Sequence, residues 1–220
     1  MKKVLGIVVA LLLAVALLPA CGGGGGGDGG NGGGGGTPPG YTGFLTPASG
    51  QWAEYVSSGD GEEYHQRMEW IGEDTVGGKT CTGFEMTMRD TEEGEIIVQM
   101  WLDAANQQPV KYVMKMGGEV YCMEVSQSTY EPPESGTQYN PDLPDIEYGT
   151  YTTPTGKPVN VAKFTIGGGE TWVSSEVPFG IVKVIVSGTE QMELYDFGLI
   201  GAERSITKAE MDSCTSFPSF

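Results

Sequence analysis

Few side chains in this 220-residue sequence could carry covalent or metal chemistry: four cysteines, at 21, 81, 122 and 214, and a single histidine, His65. One imidazole is too few for a multi-histidine metal site. A catalytic thiol needs a base beside it, and His65 alternates with apolar residues on the charged side of its segment. Carboxylates cluster at Asp90, Glu92, Glu93 and Glu95, and at Asp142, Asp145 and Glu147. Neither cluster has a calcium loop's central Gly and terminal Glu, so both read as solvated turns. Gly77-Gly78-Lys79-Thr80 lacks the earlier glycine of a phosphate loop, since Glu73 stands there, and reads as a hairpin turn. Ser205-Ile206-Thr207-Lys208 has a Ser-x-x-Lys spacing without the elements that accompany it in penicillin-binding enzymes, and reads as a capped helix start. No nucleophile, base and orienting group come together, so no enzyme, cofactor or metal site is expected.

Charge narrows the partners. With 12 basic against 29 acidic residues the formal net charge is -17. Nucleic acid binding needs a basic stripe that releases counterions, so nucleic acid is excluded as a partner. Of the 36 glycines, 14 fall within residues 22–40, which end in Thr37-Pro38-Pro39-Gly40. Such a segment reaches on the order of 25 Å as a flexible chain and is expected to be a linker.

Ahead of it stand Met1-Lys2-Lys3, an apolar run from Val4 to Leu18, and small residues before Cys21. That is the layout of a secretory signal; the rival is an uncleaved membrane helix, for which the 17 residues from Val4 to Ala20 would be at the short limit. Leu18-Pro19-Ala20-Cys21 resembles the lipobox of bacterial lipoproteins, with Pro19 where Ala or Ser is commoner. The resemblance implies that residues 1–20 are a lipoprotein signal peptide, that Cys21 carries acyl chains such as palmitate, and that the body lies on the extracytoplasmic face of the cell membrane or outer membrane. Two or three acyl chains anchor a protein stably where one does not. Loss of Lys2 and Lys3 would leave a net charge of -19, which an anionic leaflet repels, so lipid is the expected attachment.

Residues 41–220 are expected to form one domain, the alternative being two small ones. Period-two alternation dominates: Tyr64, Gln66, Met68 and Trp70 share a face, as do Thr82, Phe84, Met86 and Met88, then Ile96, Val98, Met100 and Leu102, then Val110, Tyr112, Met114 and Met116. Turn residues at Gly72–Asp74, Gly77-Gly78, Asp90–Gly94, Asn106–Pro109 and Gly117-Gly118 separate them. The reading is a mainly β, antiparallel meander with one apolar face, a curved sheet or open half-barrel of about ten strands. Pro132, Pro133, Pro141 and Pro144 make 126–149 a long loop, and strands resume at 159–166, 170–175, 180–187 and 191–197. One short helix is expected over 205–213 with Ser205 as its N-cap.

With Cys21 acylated, three cysteines remain in a disulfide-permissive compartment, and sequence alone does not fix their pairing. Cys81 with Cys122 is the favoured bridge, both lying on predicted strands, with Cys214 free or paired in the alternative.

Met68, Met86, Met88, Met100, Met114 and Met116 fall on the apolar parity with Trp70, Phe84 and Tyr112. A methionine-rich wall adapts to irregular apolar ligands; the plainer reading is core filling. Trp101-Leu102-Asp103 with Gln108-Pro109-Val110-Lys111-Tyr112, and Trp172 to Lys183, resemble elements of the superfamily of LolA, LolB and the mycobacterial lipid-carrier lipoproteins. That resemblance implies an antiparallel half-barrel whose concave face holds acyl chains, commonly under a helical lid, although this sequence offers only one weak helix. The expected site is Met68, Trp70, Phe84, Met86, Met100, Tyr112 and Met114, and the expected function is to bind or carry a lipid or other amphiphile. The alternative is a structural or partner-binding envelope lipoprotein with a closed core and no ligand.

Overall fold

The computed structural model describes residues 45, 48–59, 62–90, 94–125, 145–166 and 168–217. The expected signal, Cys21, the Gly-rich linker, Glu92, Glu93, Asp142 and most of the 126–149 loop lie outside the described residues.

The described residues form one twelve-stranded sheet: β1 Trp52–Gly59, β2 Glu62–Val76, β3 Lys79–Asp90, β4 Gly94–Asp103, β5 Pro109–Met116, β6 Glu119–Glu124, β7 Asp145–Thr152, β8 Pro158–Ile166, β9 Gly169–Val173, β10 Ile181–Val186, β11 Thr189–Gly198 and β12 Thr215–Ser216. The spatial order is β12-β6-β5-β4-β3-β2-β1-β11-β10-β9-β8-β7. Two meanders, β1–β6 and β7–β11, are thus joined where β1 runs antiparallel beside β11. Only β12 pairs in parallel, laying Thr215 and Ser216 against Tyr121 and Cys122. The sheet is open, with β12 and β7 at its edges, which is the curved antiparallel architecture expected, with two strands more. One of them, β7, begins at Asp145, inside the span read as loop.

Turn chemistry sets the first meander's register. Gly77 and Gly78, at φ 58° and 79°, supply the two positive-φ positions of a tight hairpin between β2 and β3. From that turn, Trp70 pairs with Phe84 and Met68 with Met86, while Phe84 pairs with Met100 and Met100 with Tyr112. Residues opposite one another share a face, so the alternation read in sequence becomes a continuous apolar wall.

The reverse face differs from expectation. In β4, every residue from Ile96 to Asp103 is buried, on both parities. Ile97, Trp101, Val113, Val76 and Cys81 form a second core with Ile206 and Met211 of the C-terminal segment. A meander with one apolar face is therefore a sheet region packed on both sides. The six-membered ring of Trp101 packs against Gly83 of β3: an ideal Cβ there would be 2.7 Å from it.

The helix is shorter than expected. α1 spans Lys208–Asp212 and its N-cap is Thr207, not Ser205. Thr207 and Glu210 make the reciprocal bonds of a capping box. The Ser205 amide is engaged elsewhere, donating to both carboxylate oxygens of Glu85 at 3.2 and 3.1 Å.

The bridge also differs. Cys122 is bonded to Cys214, with Cα atoms 5.7 Å apart, and Cys81 is a buried free thiol. The expected Cys81–Cys122 pairing fails on topology: β4 and β5 lie between β3 and β6. Three strand spacings come to roughly 14 Å, about twice the reach of a disulfide.

Candidate functional site

All seven residues singled out in the sequence lie on one face as cross-strand neighbours over β2, β3, β4 and β5. Met68, Phe84, Met86 and Met100 are buried, whereas Trp70, Tyr112 and Met114 are half-buried. The patch continues onto β1, where Ala53 sits opposite Met68 and the fully buried Tyr55 opposite Gln66. Burial pushes the Tyr55 hydroxyl well above the usual phenol range, so it serves as a hydrogen-bond donor.

What that hydroxyl reaches is the loop between β9 and β10. It donates to the carbonyls of Pro178 and Ile181 at 3.4 and 3.2 Å. The loop is tied within itself by Ser174 N–H to the Gly180 carbonyl and Gly180 N–H to the Val177 carbonyl. Glu176 fastens it to β8, accepting from the Asn160 side-chain amide at 2.6 Å. Val177 is fully buried. Phe179 is then laid on the methionine wall, stacked on Trp70 with ring centroids 5.5 Å apart and edge-on to Phe84 at 5.6 Å. Trp70 and Phe84 are themselves edge to face at 5.6 Å.

Phe179 holds this position at φ 65°, in the left-handed region where a bulky aromatic residue is an outlier. Such conformations are held by their surroundings and cost of order 1–3 kcal/mol. In sequence Phe179 falls within the Trp172 to Lys183 element, and no local pattern joins it to the wall. The available signal was Val177-Pro178-Phe179-Gly180 itself, an apolar run placed where a solvent-facing turn would be polar.

The same element divides between the two faces. Trp172 pairs with Lys183 on one side and with Lys163 on the other, on the face away from the wall. There the Trp172 ring lies between Lys163 and Lys183, 5.5 and 5.8 Å from its centroid. Lys183 is raised from its ordinary value: burial lowers it, but its ion pairs with Glu190 and Glu193 outweigh that. These are structural ladders along the sheet.

The one described helix does not cover the wall. α1 packs on the second core, on the face opposite the methionine wall, where Lys115 pairs with Glu210 at 2.7 Å. Among the described residues, the element over the wall is the Phe179 loop.

A polar cleft of about 260 Å³ opens on the charged face, lined by Glu54, His65, Arg67, Glu69, Arg89 and Glu203 among others. His65 points Nδ1 at Glu54 (3.3 Å) and Nε2 at Glu63 (3.5 Å), and meets Tyr195 edge-on. Both ring nitrogens face carboxylates, so the imidazole is taken up by its surface neighbours. Burial raises Glu69 above the usual carboxylate range, Arg67 opposes that, and Glu85 across the strand pair adds to it. Of the carboxylates weighed as cation ligands, Glu95 pairs with Arg89 and Glu147 with Lys163. No group of three or more potential metal ligands occurs among the described residues, and no helix there is long and apolar enough to cross a membrane.

Comparison of the chain with protein-family models and with curated proteins finds no match.

Proposed function

We propose that this chain is a lipid-anchored extracytoplasmic protein that binds a lipid or other amphiphile on its methionine-rich wall. One observation carries the ligand reading: Phe179 is inserted onto Trp70 and Phe84 by a loop held in a strained backbone conformation. An apolar side chain that must be held over an apolar wall marks a place an acyl chain could take instead. Soft methionines on either side suit a ligand of irregular shape. The anchor rests on the lipobox-like Leu18–Cys21 and the Gly-rich span that follows it.

A second reading is favoured by the burial of Phe84, Met86 and Met100, each 2% exposed or less. On that reading the wall is a closed core, and the protein is an envelope lipoprotein that meets a protein partner.

The mature chain from residue 21, purified without detergent, separates the two. Native mass spectrometry should find co-purifying lipid, and the protein should take up a fluorescent fatty acid. A folded Met100→Glu variant should lose uptake. Neither lipid nor uptake in the parent protein would leave the closed-core reading standing.

A further inference from the structure

At the end of β11 the chain exposes two consecutive large apolar residues, Leu199 at 52% and Ile200 at 83%, the latter the most exposed large hydrophobic side chain described. They are held firmly in that posture. The Trp52 indole N–H donates to the Ile200 carbonyl at 3.0 Å, and the Ala202 amide donates to the Gly50 carbonyl at 2.9 Å. Arg67 donates to the Gly201 carbonyl at 3.4 Å while its guanidinium lies 3.9 Å over the Trp52 ring. Lys157 adds a second cation 5.6 Å from the same ring. Both cations are answered within the chain, Arg67 by Glu69 at 2.9 Å and Lys157 by Asp196 at 2.6 Å, so a projecting aliphatic pair stands on a locally neutralised, indole-backed base, which suits an apolar contact with a membrane interface.

The position of this tip identifies what it meets. Gly50 is where the chain arriving from the Gly-rich span joins the sheet, and an ideal Cβ on Gly50 would stand 3.6 Å from the Ile200 Cα. The apolar tip therefore lies at the tethered end of the body. We infer that Leu199 and Ile200 form a membrane-contact tip that dips into the interface of the bilayer holding the anchor and orients the sheet on it. This rests on the lipid-anchor reading of Cys21. Two aliphatic side chains bind a bilayer weakly by themselves, but a tether makes the encounter intramolecular at high effective concentration. The net charge of the body opposes adsorption, so an apolar contact is the kind that suits it.

The test uses the acylated mature chain in phosphatidylcholine vesicles, carrying a spin label at Ile200→Cys or, as control, at Thr189→Cys. Cys122 and Cys214 are bonded and Cys81 is buried, so the introduced thiol is the one labelled. Thr189 opens β11 and Gly198 closes it, which puts the control roughly 30 Å from the tip. The label at 200 should be several-fold more accessible to oxygen, relative to a water-soluble nickel chelate, than the label at 189. Adding Leu199→Glu should return the label at 200 to water. Equal chelate access at both sites, in a chain whose mass shows the acyl groups, overturns the tip and leaves the anchor standing. Shielding from both reagents, the mark of a second copy or another protein, also overturns it. A chain without acyl mass on Cys21 overturns the anchor and this inference together.

Discussion

Phe179 of the β9–β10 loop stacks on Trp70 of β2 at a centroid distance of 5.5 Å, so the two meanders meet over the methionine wall as well as along β1 and β11. Its backbone sits at φ 65°, where any side chain with a Cβ is strained and glycine is not. Phe179→Ala should lose the stacking and keep the strain, lowering stability by about 1–3 kcal/mol. Phe179→Gly should recover roughly 1 kcal/mol of that. Urea denaturation of both variants measures the difference, and an alanine variant as stable as the glycine one would refute the strain. If the wall is a ligand site, both variants should also take up a fluorescent fatty acid faster than the parent.

The Cys122–Cys214 bridge closes a separation of 92 residues and fastens the segment carrying α1 and the edge strand β12 to its neighbour β6. A loop of that length corresponds to about 4–5 kcal/mol in the chain-entropy picture, with typical measured losses of 2–4. Cys214→Ser should lower the urea midpoint accordingly, and hydrogen exchange should quicken first over 205–217. Cys81 behaves oppositely. Burial, then the nearby Asp103 charge, pushes its thiol above the usual range, so the folded protein should show no reactive thiol and the unfolded, unreduced one a single protein thiol besides any at Cys21. A thiol reagent counted before and after urea decides it.

The fold was legible in sequence to the extent that its information is local. Alternation from Tyr64 to Met116 fixed which residues share a face, because period two survives any long-range arrangement. The bridge was illegible for the converse reason: whether Cys122 faces Cys81 or Cys214 depends on strand order, which alternation does not encode. The two-sided burial of β4 was half visible. Ile97 and Trp101 are apolar on the parity assigned to solvent, and they read as exceptions until Ile206 and Met211 are placed against them. Among the site residues, Met68 to Met114 came from parity, whereas Tyr55 and Phe179 came only with the strand and loop that bring them there. The N-cap is a local feature and legible in sequence: Thr207-Lys208-Ala209-Glu210 carries the capping-box spacing, and Ser205 does not.

Gly83 has no room for a side chain. A Cβ would lie 2.7 Å from both the Trp101 ring and the Ile71 side chain. Trp101 is 1% exposed and closes the second core, so the ring cannot tilt away without disturbing its neighbours. Gly83→Ala should cost about 1–3 kcal/mol through overpacking, and Gly83→Val more. Trp101→Leu in the Gly83→Ala background should recover part of the loss, which a double-mutant cycle would read as coupling. Additive losses would mean the ring is not what excludes the Cβ.

Acid should weaken the cap of α1. Glu210 accepts from Lys115 Nζ at 2.7 Å and from the Thr207 amide and hydroxyl at 2.8 Å each. These bonds, that from Lys115 foremost, lower its pKa from an ordinary 4.5 to about 2. A carboxylate depressed in the folded state stabilises it fully above its unfolded pKa and loses that contribution as pH falls through its folded one. The capping box and the Lys115 pair should therefore hold at pH 5 and weaken progressively between about pH 4.5 and 2. NMR titration of the Thr207 amide should report a midpoint near the low end of that range, and Glu210→Gln should abolish that titration. A Thr207 midpoint near 4.5 would show that Glu210 is free in solution and that α1 is held by Met211 and the bridge alone.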